Sequence, residues 1–345
     1  MSHRSINPTK RLVVWLLAVF VLAGCSESAK EQLVGFDGST MGTSYSLRWV
    51  AEDERQVAEI QQAVEERLAV INQQMSTYIP ESEVSRFNAL SSGEMLVSAE
   101  LAGLVQRSQA ISEQTAGAFD ITVGPLVNLW GFGPEGRVVS TPSGDKIASL
   151  HTRVGYQKLG VSQNPPLLKK ATNLQVDLSA IAKGHAVDQL ASLLAGKGIN
   201  NYLVEIGGEI KLSGNKPNSE SWRIAIEAPL TTERAAQHVL PISNIAMATS
   251  GDYRNYFEEN DVRYSHTINP LTGAPIKHAL VSVTVLHPNC ADADALATAL
   301  MVMGDKKGVE FAKHHDLAAY FLIKAQKGGE FESFATAKFD ALIKK

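Results

Sequence analysis

Gln175-Val176-Asp177-Leu178-Ser179-Ala180-Ile181-Ala182-Lys183-Gly184-His185-Ala186-Val187-Asp188-Gln189-Leu190 joins two kinds of segment. Leu174, Val176 and Leu178 alternate with polar residues, which predicts the end of a strand. From Ala182 onward, Ala186, Val187, Leu190, Leu193 and Leu194 fall at helical spacing, and Gly196 and Gly198 stand where that helix should stop. The turn between them is made of small residues and carries Asp177, Lys183 and Gly184. A strand-to-helix turn aims backbone groups and the positive end of the helix dipole at whatever sits in front of it, which suits a phosphate and its counter-cation. The same residues also read as a solvated connector whose Asp and Lys cap the helix.

Outward from this turn, the chain reads as α+β. Val57, Ile60, Val64, Leu68 and Ile71 predict a long amphipathic helix over residues 53–74, and Ser98 is placed to cap a second over 98–115. Met75 to Asn88 reads as a loop broken by Pro80 and followed by a short helical turn, and residues 138–155 as a polar excursion or helical insert. The second half is rich in strands: 202–206 running into Gly207-Gly208, 209–212, 222–227, 279–286 and a last one over 318–323, with an alanine-rich helix over 291–303. There is no regular strand-helix alternation, so mixed or antiparallel sheets with packed helices are expected rather than a doubly wound sheet.

The chain start is read separately. Arg4, Lys10 and Arg11 precede the apolar run Leu12 to Leu22, which is short for a membrane span, and Leu22-Ala23-Gly24-Cys25 closes it. This pattern resembles a bacterial lipoprotein signal, with residues 1–24 removed, Cys25 lipidated and residues 25–35 a tether. With Cys25 carrying lipid, Cys290 is the only cysteine left, so no intramolecular disulfide is expected, and it reads as a small buried hydrophobe. A net charge of −4 without a basic tract argues against a nucleic-acid partner.

Two further stretches carry oxygen and nitrogen ligands. In Asp292-Ala293-Asp294-Ala295-Leu296-Ala297-Thr298, helical spacing puts Asp294 and Thr298 on one face, a carboxylate and a hydroxyl that suit Mg²⁺ better than zinc. Both aspartates equally fit a helix start. In Tyr264-Ser265-His266-Thr267-Ile268-Asn269-Pro270-Leu271-Thr272-Gly273, the turn Asn269 to Gly273 places His266 beside a rigid loop, as a general base, a phosphate contact or a structural histidine. Residues 248–253 read as a third small-residue turn, with hydroxyls and Gly251 able to approach a phosphate. P-loop, H-E-x-x-H, C-x-x-C and G-x-S-x-G motifs are absent.

In this order, Thr40-Met41-Gly42-Thr43, Gly117-Ala118-Phe119-Asp120, Asp177 to Gly184, Gly207-Gly208, Thr249 to Tyr253, Ser265 to Pro270 and Ala291 to Thr298 resemble the FAD:protein FMN transferases of the ApbE type. The resemblance covers residues 36–325 and implies one transferase domain over 36–340, T-fold-related, with its site in a cleft between two lobes. It implies Mg²⁺-dependent cleavage of FAD, transfer of the FMN moiety to a Thr or Ser hydroxyl through a phosphoester, and release of AMP. Carried over by position, the metal ligands are the Ala180 carbonyl, Asp294 and Thr298. FAD contacts are Met41, Tyr78, Ala118, Phe119, Asp120, Asp177, Lys183 and Ile268, and the catalytic pair is His266 and Asp177. The family's metal turn often has Gly where Ser179 or Ala180 stands, a difference a carbonyl ligand tolerates. The implied partners are redox subunits with a D-x-x-[ST]-G-A-[ST] motif, of the sodium-pumping NADH:quinone oxidoreductase or Rnf type. Ser26 after the lipidated cysteine fits outer-membrane sorting, whereas the implied targets sit in the inner membrane; the location expected from those targets is the inner membrane, lipid-anchored on the periplasmic side. A phosphohydrolase giving free FMN and AMP, or a flavin-binding lipoprotein, would use the same flavin contacts.

Overall fold

The computed structural model describes residues 31–136, 141–227, 236–252, 256–259, 262–325 and 331–344. Cys25 and the signal segment lie outside them. Eight strands form one antiparallel sheet whose spatial order follows the chain: β1 (Gln32–Thr40), β2 (Thr43–Ala51), β3 (Tyr202–Ile206), β4 (Glu209–Ser213), β5 (Ala246–Gly251), β6 (Leu280–His287), β7 (Ala318–Lys324) and β8 (Phe331–Ala335). The expected α+β architecture is therefore present, with the helices inserted between neighbouring strands of a meander.

The insertion between β2 and β3 holds α1 (Val57–Met75), α2 (Glu83–Ala89), α3 (Ala99–Gln114), α4 (Gly124–Leu129), α5 (Gly144–His151) and α6 (Ala182–Gly196). A small sheet made of strands Gly93–Leu96, Pro166–Lys170 and Leu159–Gln163 lies among them. Helix α7 (Cys290–His314) connects β6 to β7, and α8 (Ala337–Ile343) follows β8. Helix α1 forms where the spacing places it, because Ile60, Val64, Leu68, Ile71 and Met75 make one buried stripe. Each such side chain contributes about 1.5–3 kcal/mol of transfer energy before chain entropy is counted. Ser98 caps α3, its hydroxyl accepting from the Leu101 N–H.

Alternate residues of the sheet face two cores. Val204, Ile206, Ala248, Val283, Val285 and Phe321 join α1, α3, α6 and α7 in the larger core. Ile210, Leu212, Met247 and Leu286 face the other side, covered by the hairpin of Arg223–Glu227 with Ala236–Pro241 and by Phe339 of α8. A satellite cluster joins Leu126 and Trp130 to Val154 and Ile268.

Five expectations change. The strand expected at Leu174–Leu178 joins no ladder beyond a parallel bridge between Val123 and Gln175. The side-chain amide of Asn88 takes the place of a neighbouring strand there, donating to Val176 O at 2.8 Å and accepting from Val176 N at 2.7 Å. Residues 249–251 continue β5 instead of turning, because Thr249, Ser250 and Gly251 are paired with Thr284, Val283 and Ser282. Residues 32–35, expected in the tether, pair with residues 48–51 in β1 and β2. The strand at 318–323 is followed by β8. The expected helix over 291–303 is the first part of α7, which Gly304 interrupts at φ 80° and ψ −173°.

Candidate active site

The starts of α6 and α7 meet. A β-carbon built on Gly184 would stand 2.4 Å from the Cys290 carbonyl oxygen and 2.8 Å from the Ala291 α-carbon, so only glycine permits this crossing. Neither helix has a side-chain hydrogen bond from its own N-cap residue, Ile181 for α6 and Asn289 for α7. Each is capped by the other: Asp294 of α7 accepts from the Gly184 N–H at 3.1 Å, and Asp188 of α6 accepts from the Ala291 N–H at 3.0 Å. Lys211 of β4 holds the second oxygen of the Asp188 carboxylate at 2.6 Å.

Ala180 stands just outside α6. The N-cap carbonyl of Ile181 takes the first helical bond, from the His185 N–H at 2.9 Å, so the Ala180 carbonyl precedes the helical ladder. With the Gly184 N–H held by Asp294, no backbone N–H among the described residues closes on Ala180 O. Asp294 is 4% exposed, and one turn further along α7 the Thr298 hydroxyl lies 3.2 Å from the Ser250 hydroxyl of β5.

Lys183 lies in the first turn of α6 and pairs with Glu209 at 2.7 Å. Glu209 directly follows the Gly207-Gly208 turn, whose residues have φ of 60° and 102°, and its register opposite Ile206 turns it toward the helix layer. Burial works against the Lys183 charge, but the Asp294 and Glu209 carboxylates outweigh it and raise the ammonium pKa. Burial raises both carboxyls as well, with Lys183 opposing the rise in each. With both acids ionised around one ammonium the negative charge would be in excess, a state that a bound cation would favour. Among the described residues no group of three or more His, Cys, Asp or Glu stands together to bind a metal, so a site here depends on carbonyl and hydroxyl oxygens as well.

The expected flavin contacts run in a chain from this centre. Asp177 accepts from the Ser179 N–H at 2.8 Å and donates its own N–H to Ile121 O at 2.7 Å, which ties it to the turn of Ala118, Phe119 and Asp120. Tyr78 is 69% exposed, and its hydroxyl pKa is raised by partial desolvation and by the Asp177 charge. Asp120 spends its carboxylate within the protein, on the N–H and hydroxyl of Thr122 and on the Tyr156 N–H, while burial raises its pKa. Ala118 and Phe119 are buried, so this turn presents backbone to a ligand. Ile268 is buried against the Trp130 cluster, and Leu271 of the same loop approaches Gly117. Met41 is in the left-handed region at φ 48°, beside Gly42 at 73°, as the two-residue turn from β1 to β2 requires. His266 packs edge-on against Phe132, with ring centroids 6.3 Å apart. A pocket opens beside Asp177 between α2 and α4, lined by Ser85, Asn88, Gly124, Asn128 and Gln175, at the border of the larger core and the Trp130 cluster.

The distribution of these residues over the fold has a match. The ApbE family profile covers residues 41–321. The chain belongs to the ApbE family. It is 43% identical over 340 residues to a protein of Vibrio cholerae named FAD:protein FMN transferase, covering 96% of this chain and 99% of that one. A protein of the same name from Haemophilus influenzae is 41% identical, with 92% and 95% covered. Among solved structures, the flavin transferase ApbE of Vibrio cholerae superposes with a TM-score of 0.83 at 40% identity, over 90% of this chain and 99% of that one. The apo flavinyl transferase ApbE of Pseudomonas stutzeri gives the same score and identity over 91% and 98%.

For this ApbE chain, sequence reading did not single out Glu209, Asn88 or Asp188. Glu209 had a usable signal, since a hairpin turning at Gly207-Gly208 puts it opposite Ile206 and so inside. Asn88 and Asp188 act across 88 and 103 residues of chain, and nothing local marks them.

Proposed function

We propose that this protein is an FAD:protein FMN transferase that moves the FMN moiety of FAD to a Thr or Ser hydroxyl of a target protein. The Ala180 carbonyl carries the reading: it lies just before the N-cap of α6, without a backbone donor among the described residues, at the helix start whose Gly184 N–H is held by the Asp294 carboxylate. Ala180, Asp294 and Thr298 fit a hard cation, and a bound Mg²⁺ would neutralise charge on the pyrophosphate oxygens. Lys183 adds a fixed positive charge beside them, and the converging starts of α6 and α7 favour an anion in the same place. Tyr78, Met41 and the backbone of residues 118–120 border the space for the flavin nucleotide, with Asp177 as a hydrogen-bond acceptor.

In the reaction, the acceptor oxygen forms a bond to the FMN phosphorus as the bond from that phosphorus to the bridging oxygen breaks. The hydroxyl proton passes to His266, and AMP leaves with the bridging oxygen. Acceptors of the D-x-x-[ST]-G-A-[ST] kind, on redox subunits of sodium-pumping NADH:quinone oxidoreductase or Rnf type, fit this chemistry. The lipoprotein-like Leu22-Ala23-Gly24-Cys25 supports a lipid anchor, and acceptors of this kind support its being on the periplasmic side of the inner membrane.

The test mixes the fragment from Ser26 with FAD, Mg²⁺ and a domain bearing D-x-x-T-G-A-T, and reads the intact mass of that domain. A gain equal to FMN less water that EDTA and Asp294→Ala both abolish is expected. Free FMN and AMP without a mass gain would replace the transferase with a hydrolase. Full transfer by Asp294→Ala would remove Asp294 from the metal site.

A further inference from the structure

We infer that Glu209 is a positioning residue with two tasks: one carboxylate oxygen fixes the Lys183 ammonium, and the other receives an O–H donor that arrives with the substrate. The inference rests on the flavin transferase reading of this site. Glu209 is 3% exposed, and its Oε1 lies 2.7 Å from Lys183 Nζ. Its Oε2 is equally shut from solvent and has no hydrogen-bond partner among the described residues. A buried carboxylate oxygen without a donor is costly, so one placed on the inward register of a glycine hairpin is suited to receive a donor from outside the chain.

The local charges say which donor fits. Lys183 already neutralises one oxygen, and Asp294 adds negative charge nearby, so a further anion is disfavoured and a neutral hydroxyl or a cation-bound water is favoured. Both donors accompany FAD and its metal: the hydroxyls of the ribityl chain and ribose, and water held by Mg²⁺. Oε1 acts at the same time on Lys183. An ammonium on a flexible four-carbon stem is a poor electrostatic group unless its direction is set, and the 2.7 Å contact sets it.

Glu209→Gln separates these tasks from folding. The amide oxygen keeps an acceptor for Lys183, and the amide nitrogen puts a donor where Oε2 was, so a substrate donor meets a donor. The readouts are FAD affinity by quenching of flavin fluorescence, the melting temperature, and the kcat and KM of transfer. With the parent first shown to bind FAD and transfer FMN, Glu209→Gln should weaken FAD binding by about tenfold, equivalent to about 1.4 kcal/mol, with an unchanged melting temperature. A deficit present without Mg²⁺ assigns the donor to FAD, and one that needs Mg²⁺ assigns it to metal-bound water.

A cycle with Lys183→Ala tests the second task. Glu209→Ala should lower kcat in the parent and have little further effect once Lys183 is gone. FAD binding by Glu209→Gln within twofold of the parent, or Glu209→Ala and Lys183→Ala losses that multiply, would overturn the inference. A parent that neither binds FAD nor transfers FMN would refute the transferase reading itself.

Discussion

Gly184→Ala sets two physical rules against each other. On helix propensity alone, alanine in the first turn of α6 should stabilise the protein by about 1 kcal/mol. The crossing opposes that gain. The new methyl group would lie 2.4 Å from the Cys290 oxygen, 2.7 Å from the Cys290 carbonyl carbon and 2.8 Å from the Ala291 α-carbon, all backbone atoms that no rotamer change can move. An ordinary carbon–oxygen contact is about 3.3 Å, so the helix starts would have to part by about 0.9 Å. That displacement would take the bond from Gly184 N–H to Asp294, now 3.1 Å, beyond hydrogen-bond range. A lost bond to a carboxylate costs about 1.5–3 kcal/mol, and overpacking adds about 1–3 kcal/mol. The net expectation is destabilisation by about 3 kcal/mol, read as a lower midpoint in urea at unchanged slope, together with loss of FMN transfer. A Gly184→Ala protein as stable as the parent, or more so, would refute the close crossing and the capping of α6 by Asp294 that depends on it.

Asn88→Ala should remove both bonds to Val176, lower stability by about 2 kcal/mol and weaken FAD binding through the adjoining Asp177; fluorescence titration and urea unfolding check both effects. Glu100 joins three helices by accepting from His185 at 2.7 Å and pairing with Arg67. Burial alone would raise its pKa, but these partners bring it down from 4.5 to about 2. A depressed carboxyl stabilises the fold above its unfolded pKa and loses that contribution as pH falls through the folded one. Stability should therefore drop between pH 4.5 and about 2. The loss should be about 1–2 kcal/mol after solvent screening, and Glu100→Gln should flatten that limb of the acid unfolding curve.

Most of the fold was legible because its signals are periodic. The stripe of α1, the cap at Ser98 and the alternation in β3 and β6 are each written within a few residues. The site was legible only where family motifs mark it: Lys183, Asp294 and Thr298 stand in short recognisable runs. What failed to show was structure made by side chains across distance. Val176 alternates like a strand residue, yet its partner is an amide side chain from α2. Thr249 to Gly251 have the small residues of a turn, but the register with β6 keeps them extended. Asp188 reads as an ordinary helix aspartate until Ala291 is brought against it.

The exchange of caps between α6 and α7 also fixes when the site can exist. Its two bonds span 110 and 103 residues, so they close only after the chain has made β3 to β6 and returned. Contacts of such separation form late, because the loop entropy must be met before they stabilise anything. Until then α6 carries Lys183 at an unsupported end, with the Gly184 N–H uncapped. A partly folded chain would thus hold Lys183 without the Asp294 charge beside it, so that competence for substrate arrives together with completion of the sheet.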